Sequence, residues 1–261
     1  MSGDHYAAAG PGWAAGATLV YRPLAEALVS SSPVPLDGRT VLDVGAGTGV
    51  AGAALRACGA VPVAVDRSAG MLAAMAAPLP PRAVADVRAL PLRPGAVDAA
   101  VAAFVLNHVT DPERALAEVV RVVRPGGAVL ATVYANSFAS PARNRVDEVA
   151  VEQGWRPPAW YLAIKEVAAP VLGTAASMAA AARAAGLVDV AAEERVVDVG
   201  VTEPDQLVTY RFGQAQFAPW IAALGDDAVA IRRRAAEAVA PVMEPYRPLV
   251  VFLAARVPQG V

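Results

Sequence analysis

Three aspartates carry the chemistry legible in this sequence: Asp43, Asp66 and Asp86 each close a short apolar run that reads as a strand. Directly after the first comes Gly45-Ala46-Gly47-Thr48-Gly49, followed by a helical apolar pattern at Val50, Ala53 and Leu55. A strand that ends in glycines and feeds a helix gathers bare backbone N–H groups and the positive end of the helix at one point. Asp43 favours a ligand carrying an ammonium or sulfonium group there, whereas a pyrophosphate would gain nothing from it. Asp66 closes Val61-Pro62-Val63-Ala64-Val65, a place where an acid can accept both hydroxyls of a ribose. Asp86, in Ala85-Asp86-Val87, can accept from an adenine amino group while the Val87 N–H donates to a ring nitrogen. Buried acids are costly unless paired, so acids at successive strand tips point to a shared ligand rather than to packing.

The elements that must hold these acids alternate along the chain. The apolar pattern predicts strands over 40–44, 61–65, 82–85, 97–104 and 128–133, with helices over 50–58, 69–76 and 112–123 between them. Asp111-Pro112 opens the last of these helices, and Arg124-Pro125-Gly126-Gly127 closes it and turns the chain into the next strand. A helix is expected over 11–30, interrupted at Pro23. Later come a helix over 175–185, a strand over 188–199, helical residues 203–240 after a capping box at Thr202-Glu203-Pro204-Asp205, and a last strand over 248–256. The expected fold is α/β: a Rossmann-like, doubly wound seven-stranded sheet, mostly parallel with an antiparallel last strand. One domain is expected over 1–261, with its core at about 38–134 and 174–261. Residues 1–37 form an N-terminal helical lid, and insertions at about 135–173 and 203–240 form a substrate cap.

Composition narrows the function classes. The formal net charge is −2 and no Lys/Arg run follows a phosphate backbone, so nucleic acid is not expected as a partner. The single Cys58 excludes an intrachain disulfide; with only His5 and His108 beside it no zinc site follows, and a plain buried thiol is expected. The longest uncharged run, between Glu166 and Arg183, is broken by Pro170 and Gly173 and is too weakly apolar to span a bilayer. No basic segment followed by an apolar core precedes it, and a cytoplasmic protein is expected. Gly47-Thr48-Gly49-Val50-Ala51-Gly52 also fits the dinucleotide fingerprint in a shifted frame. That reading leaves Asp43 and Asp86 without a role.

Val41-Leu42-Asp43-Val44-Gly45-Ala46-Gly47-Thr48-Gly49 resembles the first motif of class I S-adenosylmethionine-dependent methyltransferases. Asp66-Arg67-Ser68 with Met71-Leu72 resembles their second, and Asp86-Val87 with Leu90-Pro91-Leu92 their third. The stretch from Val97-Asp98 through Asn107-His108 to Pro125-Gly126-Gly127 is similar to the small-molecule branch that includes ubiquinone and menaquinone methyltransferases (type 11), in an actinobacterial style. The resemblance is specific over roughly 12–134. It implies S-adenosyl-L-methionine as cofactor, with Asp43 on the methionine amino group and Gly45, Ala46 and Gly47 along the methionine portion. It further implies Asp66 on the ribose, Arg67 and Met71 flanking the adenine, and Asp86 and Val87 on its edge. Phe104 would lend main chain near the sulfonium, and Tyr21 would reach the cofactor carboxylate.

Methyl transfer from a sulfonium is an in-line displacement, and a base is needed only if the acceptor arrives protonated. His108 is the imidazole near the expected active edge, as a base or as a packed side chain behind the fourth strand. No carboxylate pair with an asparagine is placed to hold magnesium, so no metal is expected. Tyr134, Trp155, Trp160, Tyr161, Phe217 and Trp220, with Phe212 and Gln214, are candidates to line an acceptor site or to fill the core. An apolar or aromatic natural-product-type acceptor follows, and a homodimer is allowed. Two other functions stay open: a non-methylating cyclase-type enzyme on the same scaffold, and an NAD-dependent oxidoreductase.

Overall fold

The structure is a computed structural model that describes residues 4–259. Its centre is a seven-stranded sheet in the order β3-β2-β1-β4-β5-β7-β6. The strands are β1 (Thr40–Val44), β2 (Val61–Asp66), β3 (Arg82–Val84), β4 (Val97–Ala103), β5 (Val123–Tyr134), β6 (Val188–Val196) and β7 (Leu249–Arg256). Neighbours from β3 to β5 pair in parallel, while β7 runs antiparallel to both β5 and β6. The antiparallel last strand is therefore as expected. Strand order reverses between β1 and β4, and in such sheets ligands bind outside the carboxyl ends of the strands at that reversal.

Alternation along each central strand feeds two cores. Val41, Val101, Leu130 and Phe252 face α2 (Thr18–Ser30), α3 (Val50–Ala57), α6 (Pro141–Glu152), α9 (Pro204–Phe212) and α11 (Asp227–Val239). Leu42, Ala100, Val129 and Leu253 face α5 (Pro112–Val122) and α8 (Ala175–Ala184) on the other side. The period-2 register sends consecutive residues to opposite faces, so a strand buried on both sides reads as a continuous apolar run. The remaining helices are short: α1 (Gly10–Gly12), α4 (Ala69–Ala73), α7 (Ala159–Ala163) and α10 (Ala218–Leu224). Helix starts follow local chemistry. Asp111 accepts from the Arg114 N–H at the head of α5, Ser68 does so from Met71 at α4, and Thr174 and Ser177 close a capping box at α8.

Four expectations need correction. Pro23 lies inside α2 without ending it, and the helical segment 10–30 is instead modulated by a π-helical turn at Trp13–Ala17. Pro23 has no N–H to offer the carbonyl four residues back, at Leu19, a residue that is solvent-exposed. Strand β5 begins at Val123, which pairs with Val97, and Arg124–Gly127 forms the irregularity before pairing resumes at Ala99 and Ala128, so these residues lie within the strand rather than ahead of it. Residues 203–240 form three helices, because the chain turns at 213–217 and at Gly225 (φ 55°). Cys58 is exposed at the end of α3, where its thiol donates to the Leu55 carbonyl at 3.1 Å.

Candidate active site

The turn after β1 needs glycine for stated reasons. Gly45, Gly47 and Gly49 all have positive φ (63°, 55° and 88°), a region costly for residues with a Cβ. A Cβ on Gly45 would lie 2.5 Å from the Val105 side chain, so the turn is also closed sterically. Gly49 is the residue from which α3 starts. The turn and the second strand tip lock each other: the Gly47 N–H donates to Asp66 Oδ2 and the Ser68 N–H to Asp66 Oδ1, each at 2.8 Å.

One cleft over the β1/β4 reversal contains all three strand-tip acids, in different electrostatic states. Asp43 is 1% exposed and its Oδ2 has no hydrogen-bond partner. Desolvation pushes its pKa up to about 7, against the opposing pull of the nearby Gly52 amide. Asp66 is raised too, by burial first, with the Ser68 and Gly47 amides holding it back. Asp86 differs: the Arg88 guanidinium chelates it at 2.6 Å and holds it down at about 2. Both Asp86 oxygens accept from Arg88, so any ligand amino group there would share the carboxylate with that side chain. Arg67, Met71 and Val87 also border the cleft.

The opposite wall is aromatic. The ring of Tyr21 stacks on Trp13 (5.3 Å between centroids) and meets Phe104 edge-on at 5.0 Å, and Phe104 leans on Tyr134 at 4.8 Å. Phe104 adopts φ 56°, a left-handed conformation that costs a non-glycine residue about 1–2 kcal/mol. Its N–H is held by the Thr132 carbonyl at 2.9 Å, which fixes the main chain at the end of β4 against the cleft. His108 borders the cleft as well, with the Tyr6 hydroxyl 2.8 Å from its Nδ1. Burial drives the His108 pKa down to about 4, so the ring is neutral near pH 7.

The N-terminal segment seats on this edge through contacts that only small residues allow. A Cβ on Gly16 would come 2.2 Å from the Thr209 carbonyl oxygen, and one on Gly70 2.3 Å from that of Ala7. The Ser68 hydroxyl also donates to Asp4 at 2.9 Å.

The cleft thus brings together Tyr21, Asp43, Gly45, Ala46, Gly47, Asp66, Arg67, Met71, Asp86, Val87, Phe104 and His108. The remaining aromatic candidates lie elsewhere. Trp155 stacks on Phe217 at 4.2 Å and donates its indole N–H to the Gln216 carbonyl, within the core. Trp220 packs edge-on to Phe212. Tyr161 accepts from Arg211, whose guanidinium also engages Asp147 (2.6 Å) and Gln214. Trp160 stacks on His5 and leans on Tyr6. Tyr134 sits behind Phe104, its hydroxyl 2.9 Å from that of Tyr210. Sequence reasoning missed Tyr6, Trp13 and Arg88. Trp13 precedes Tyr21 by eight residues, near two helical turns, and that spacing could have flagged it. Tyr6 lies in irregular chain, where no periodicity marks it.

Comparison with known proteins bears on the same region. Residues 42–131 match the family model described as a methyltransferase domain. The segment ends just short of Tyr134 and contains every strand-tip acid. Over that segment the chain is similar to methyltransferase domains. Demethylmenaquinone methyltransferase of Mycolicibacterium paratuberculosis is 42% identical over 109 residues, which cover 37% of this chain and 47% of the relative. The chain thus spans under half the length of the curated relatives it matches. Among solved structures, the [4+2]-cyclase SpnF superposes with a TM-score of 0.58 at 23% identity, covering 92% of this chain and 82% of that one. A Haemonchus contortus phosphoethanolamine N-methyltransferase, in complex with phosphomonomethylethanolamine and S-adenosylhomocysteine, gives 0.57 at 17% identity, covering 90% and 53%. At these identities the two structures show the fold alone.

The residues of this cleft fit an adenosyl sulfonium on structural grounds. Asp43 offers a buried carboxylate oxygen lacking a partner, suited to an ammonium. At Gly45 and Gly47 no side chain stands between the backbone and a ligand, and Met71 supplies an apolar surface beside them. Among the described residues no group of three His, Cys, Asp or Glu side chains is placed to hold a metal ion, and no helix is long and apolar enough to cross a membrane.

Proposed function

We propose that this chain transfers a methyl group from S-adenosylmethionine to a small apolar or aromatic acceptor by in-line displacement. The observation that carries the reading is the orphaned, buried oxygen of Asp43 in the cleft that also holds Asp66 and Asp86. A carboxylate so desolvated is stabilised by a cation and by little else. The bound cofactor supplies a methyl group already activated by positive sulfur, so the protein's work is placement. Collinear alignment at about 3–3.5 Å is worth several kcal/mol by itself. Phe104, locked by its neighbours at a strained φ, fixes one side of that alignment, and Tyr21 with Trp13 closes the other.

His108 serves acceptors that arrive protonated. Its Nε2 is basic when the proton sits on Nδ1 and is donated to the Tyr6 oxygen. Burial keeps the ring unprotonated near pH 7 but also makes it a weak base, suited to an acceptor that gives up its proton readily. The demethylmenaquinone methyltransferases among the relatives support a quinone-like ring as the acceptor class. A small molecule as partner and a cytoplasmic setting belong to the same reading.

Isothermal titration of the purified protein with S-adenosylmethionine and with NAD is the first test. Uptake of the former alone is expected, and Asp43→Asn should weaken it at least tenfold. Chromatographic detection of S-adenosylhomocysteine formed with a hydroquinone acceptor is the second. Binding without turnover on any acceptor would favour a non-methylating role, and no binding would end the proposal.

A further inference from the structure

Behind Phe104 and Tyr21 the aromatic wall continues into a cluster of hydroxyls outside the cofactor cleft. Tyr134, at the end of β5, and Tyr210, on α9, share a hydrogen bond of 2.9 Å. Tyr246, just before β7, lies 5.6 Å from the Tyr210 ring and 5.7 Å from that of Phe138. The Tyr246 residue is 3% exposed, yet its hydroxyl completes no hydrogen bond. Arg143, in the first turn of α6, holds its guanidinium 5.2 Å over the Phe138 ring. Its Nε is buried without a partner, and among the described residues no carboxylate forms an ion pair with it. Its charge is felt by both Tyr210 and Tyr246.

An unpaired guanidinium beside an unsatisfied buried phenol is a costly arrangement for a purely structural core. Burial holds the Tyr134, Tyr210 and Tyr246 hydroxyls in the protonated form, so they stay hydrogen-bond donors. Within the Tyr134–Tyr210 pair one hydroxyl accepts from the other, but the Tyr246 hydroxyl and the Arg143 Nε are left without an acceptor, and together they describe a site for an anionic oxygen group. Its place agrees, for Tyr134 ends the strand next to β4 and its ring touches Phe104. The outer members, Phe138 and Arg143, are partly exposed and give a route from solvent.

We infer that Tyr246, Tyr210, Tyr134 and Arg143 form an acceptor subsite that recognises a carboxylate on an aromatic substrate. The inference rests on the methyl-transfer reading and adds the charge of the acceptor. Arg143 anchors the anionic group, the phenols donate to it, and Phe138 and Tyr134, stacked at 6.0 Å and 14°, face the ring. Tyr134 and Tyr210 pack on the cleft residues Phe104 and Tyr21, whereas Arg143 and Tyr246 do not line the cleft, so these two act on the acceptor alone.

The test uses the full chain saturated with S-adenosylhomocysteine, titrated with salicylate, 1-hydroxy-2-naphthoate and their methyl esters. The acids should bind at least tenfold more tightly than the esters. Arg143→Gln and Tyr246→Phe should abolish that preference while S-adenosylhomocysteine affinity stays unchanged. Arg143→Lys should restore part of it, and unchanged melting of Tyr246→Phe guards against a folding defect. Normal S-adenosylhomocysteine uptake with no binding of the acids, with equal binding of acids and esters, or with a preference that survives Arg143→Gln, overturns this subsite alone. No uptake of S-adenosylhomocysteine overturns the methyl-transfer reading and the subsite with it.

Discussion

The Tyr6 hydroxyl stands 2.8 Å from His108 Nδ1 and so ties the N-terminal segment to the turn that follows β4. The two residues are 102 positions apart, and both border the cleft. Tyr6→Phe removes the link while keeping the ring that packs on Trp13 and Trp160. A single hydrogen bond contributes about 0.5–1.5 kcal/mol, so the melting curve should move little. Ligand escape past Tyr6 should quicken several-fold, measured as S-adenosylhomocysteine dissociation by stopped-flow tryptophan fluorescence. An unchanged rate would show that the contact does not hold the segment over the ligand.

Asp43 makes ligand affinity depend on pH in a definite direction. Its folded pKa lies near 7, above the ordinary 3.8, so the free protein keeps it protonated where an unfolded chain would ionise it. Ionising it in the fold costs stability progressively from about pH 4 to 7, because the native state binds the extra proton there. A bound ammonium favours the ionised form. Affinity for S-adenosylhomocysteine should therefore rise between pH 5.5 and 7, by at most about tenfold per unit, and level off above. Adenosine, which has the ribose but no ammonium, separates this from Asp66, whose pKa is also raised. Calorimetry should find the slope with S-adenosylhomocysteine, lose it in Asp43→Asn, and find it much reduced with adenosine.

The glycine turn and the strand-tip acids were legible because each has a local cause: a positive φ, a strand end, a carboxylate that packing alone does not favour. The mostly parallel α/β sheet followed from alternation of apolar runs and helices in the same way. The acceptor side was not legible. Trp155, Phe217 and Trp220 have the composition of a binding wall, but their partners are fixed by how α9 and α10 fold back, which no local pattern encodes. Tyr6 and Arg143 matter through residues more than 60 positions away. Pro23 and the three-way split of 203–240 failed for a related reason, since local breakers yield to or override helix propensity according to tertiary packing.

Arg211 is the buried charge most dependent on its partners. It is 6% exposed, donates two hydrogen bonds to Asp147 at 2.6 and 2.7 Å, and a third to the Tyr161 hydroxyl at 3.0 Å. Asp147→Ala strands the guanidinium, a change that costs about 3–5 kcal/mol for a fully buried pair. Asp147 is 30% exposed, so solvent screening lowers the expectation to about 2–3 kcal/mol. Replacing both partners by apolar residues, Arg211→Met with Asp147→Leu, should cost less than Asp147→Ala alone. Urea unfolding of the three proteins decides it. A double variant that unfolds earlier than the single one would mean that the pair contributes net stability.

Gly45 separates two kinds of constraint on the turn. Gly45→Ala introduces a Cβ at φ 63°, which costs about 1–2 kcal/mol whatever surrounds it. It also drives that Cβ to 2.5 Å from Val105 Cγ2, a contact that must be relieved by moving the turn or the chain after β4. Either movement misplaces backbone at the floor of the cleft. S-adenosylhomocysteine affinity should fall more than tenfold and the melting temperature should drop. Val105→Gly on the same background removes both clashing atoms, Cγ2 at 2.5 Å and Cβ at 2.7 Å, but not the dihedral cost. It should recover a good part of the affinity and leave a residual loss of stability. If the double variant bound no better than Gly45→Ala, the dihedral alone would govern the turn, and the approach of Val105 would have no bearing on the site.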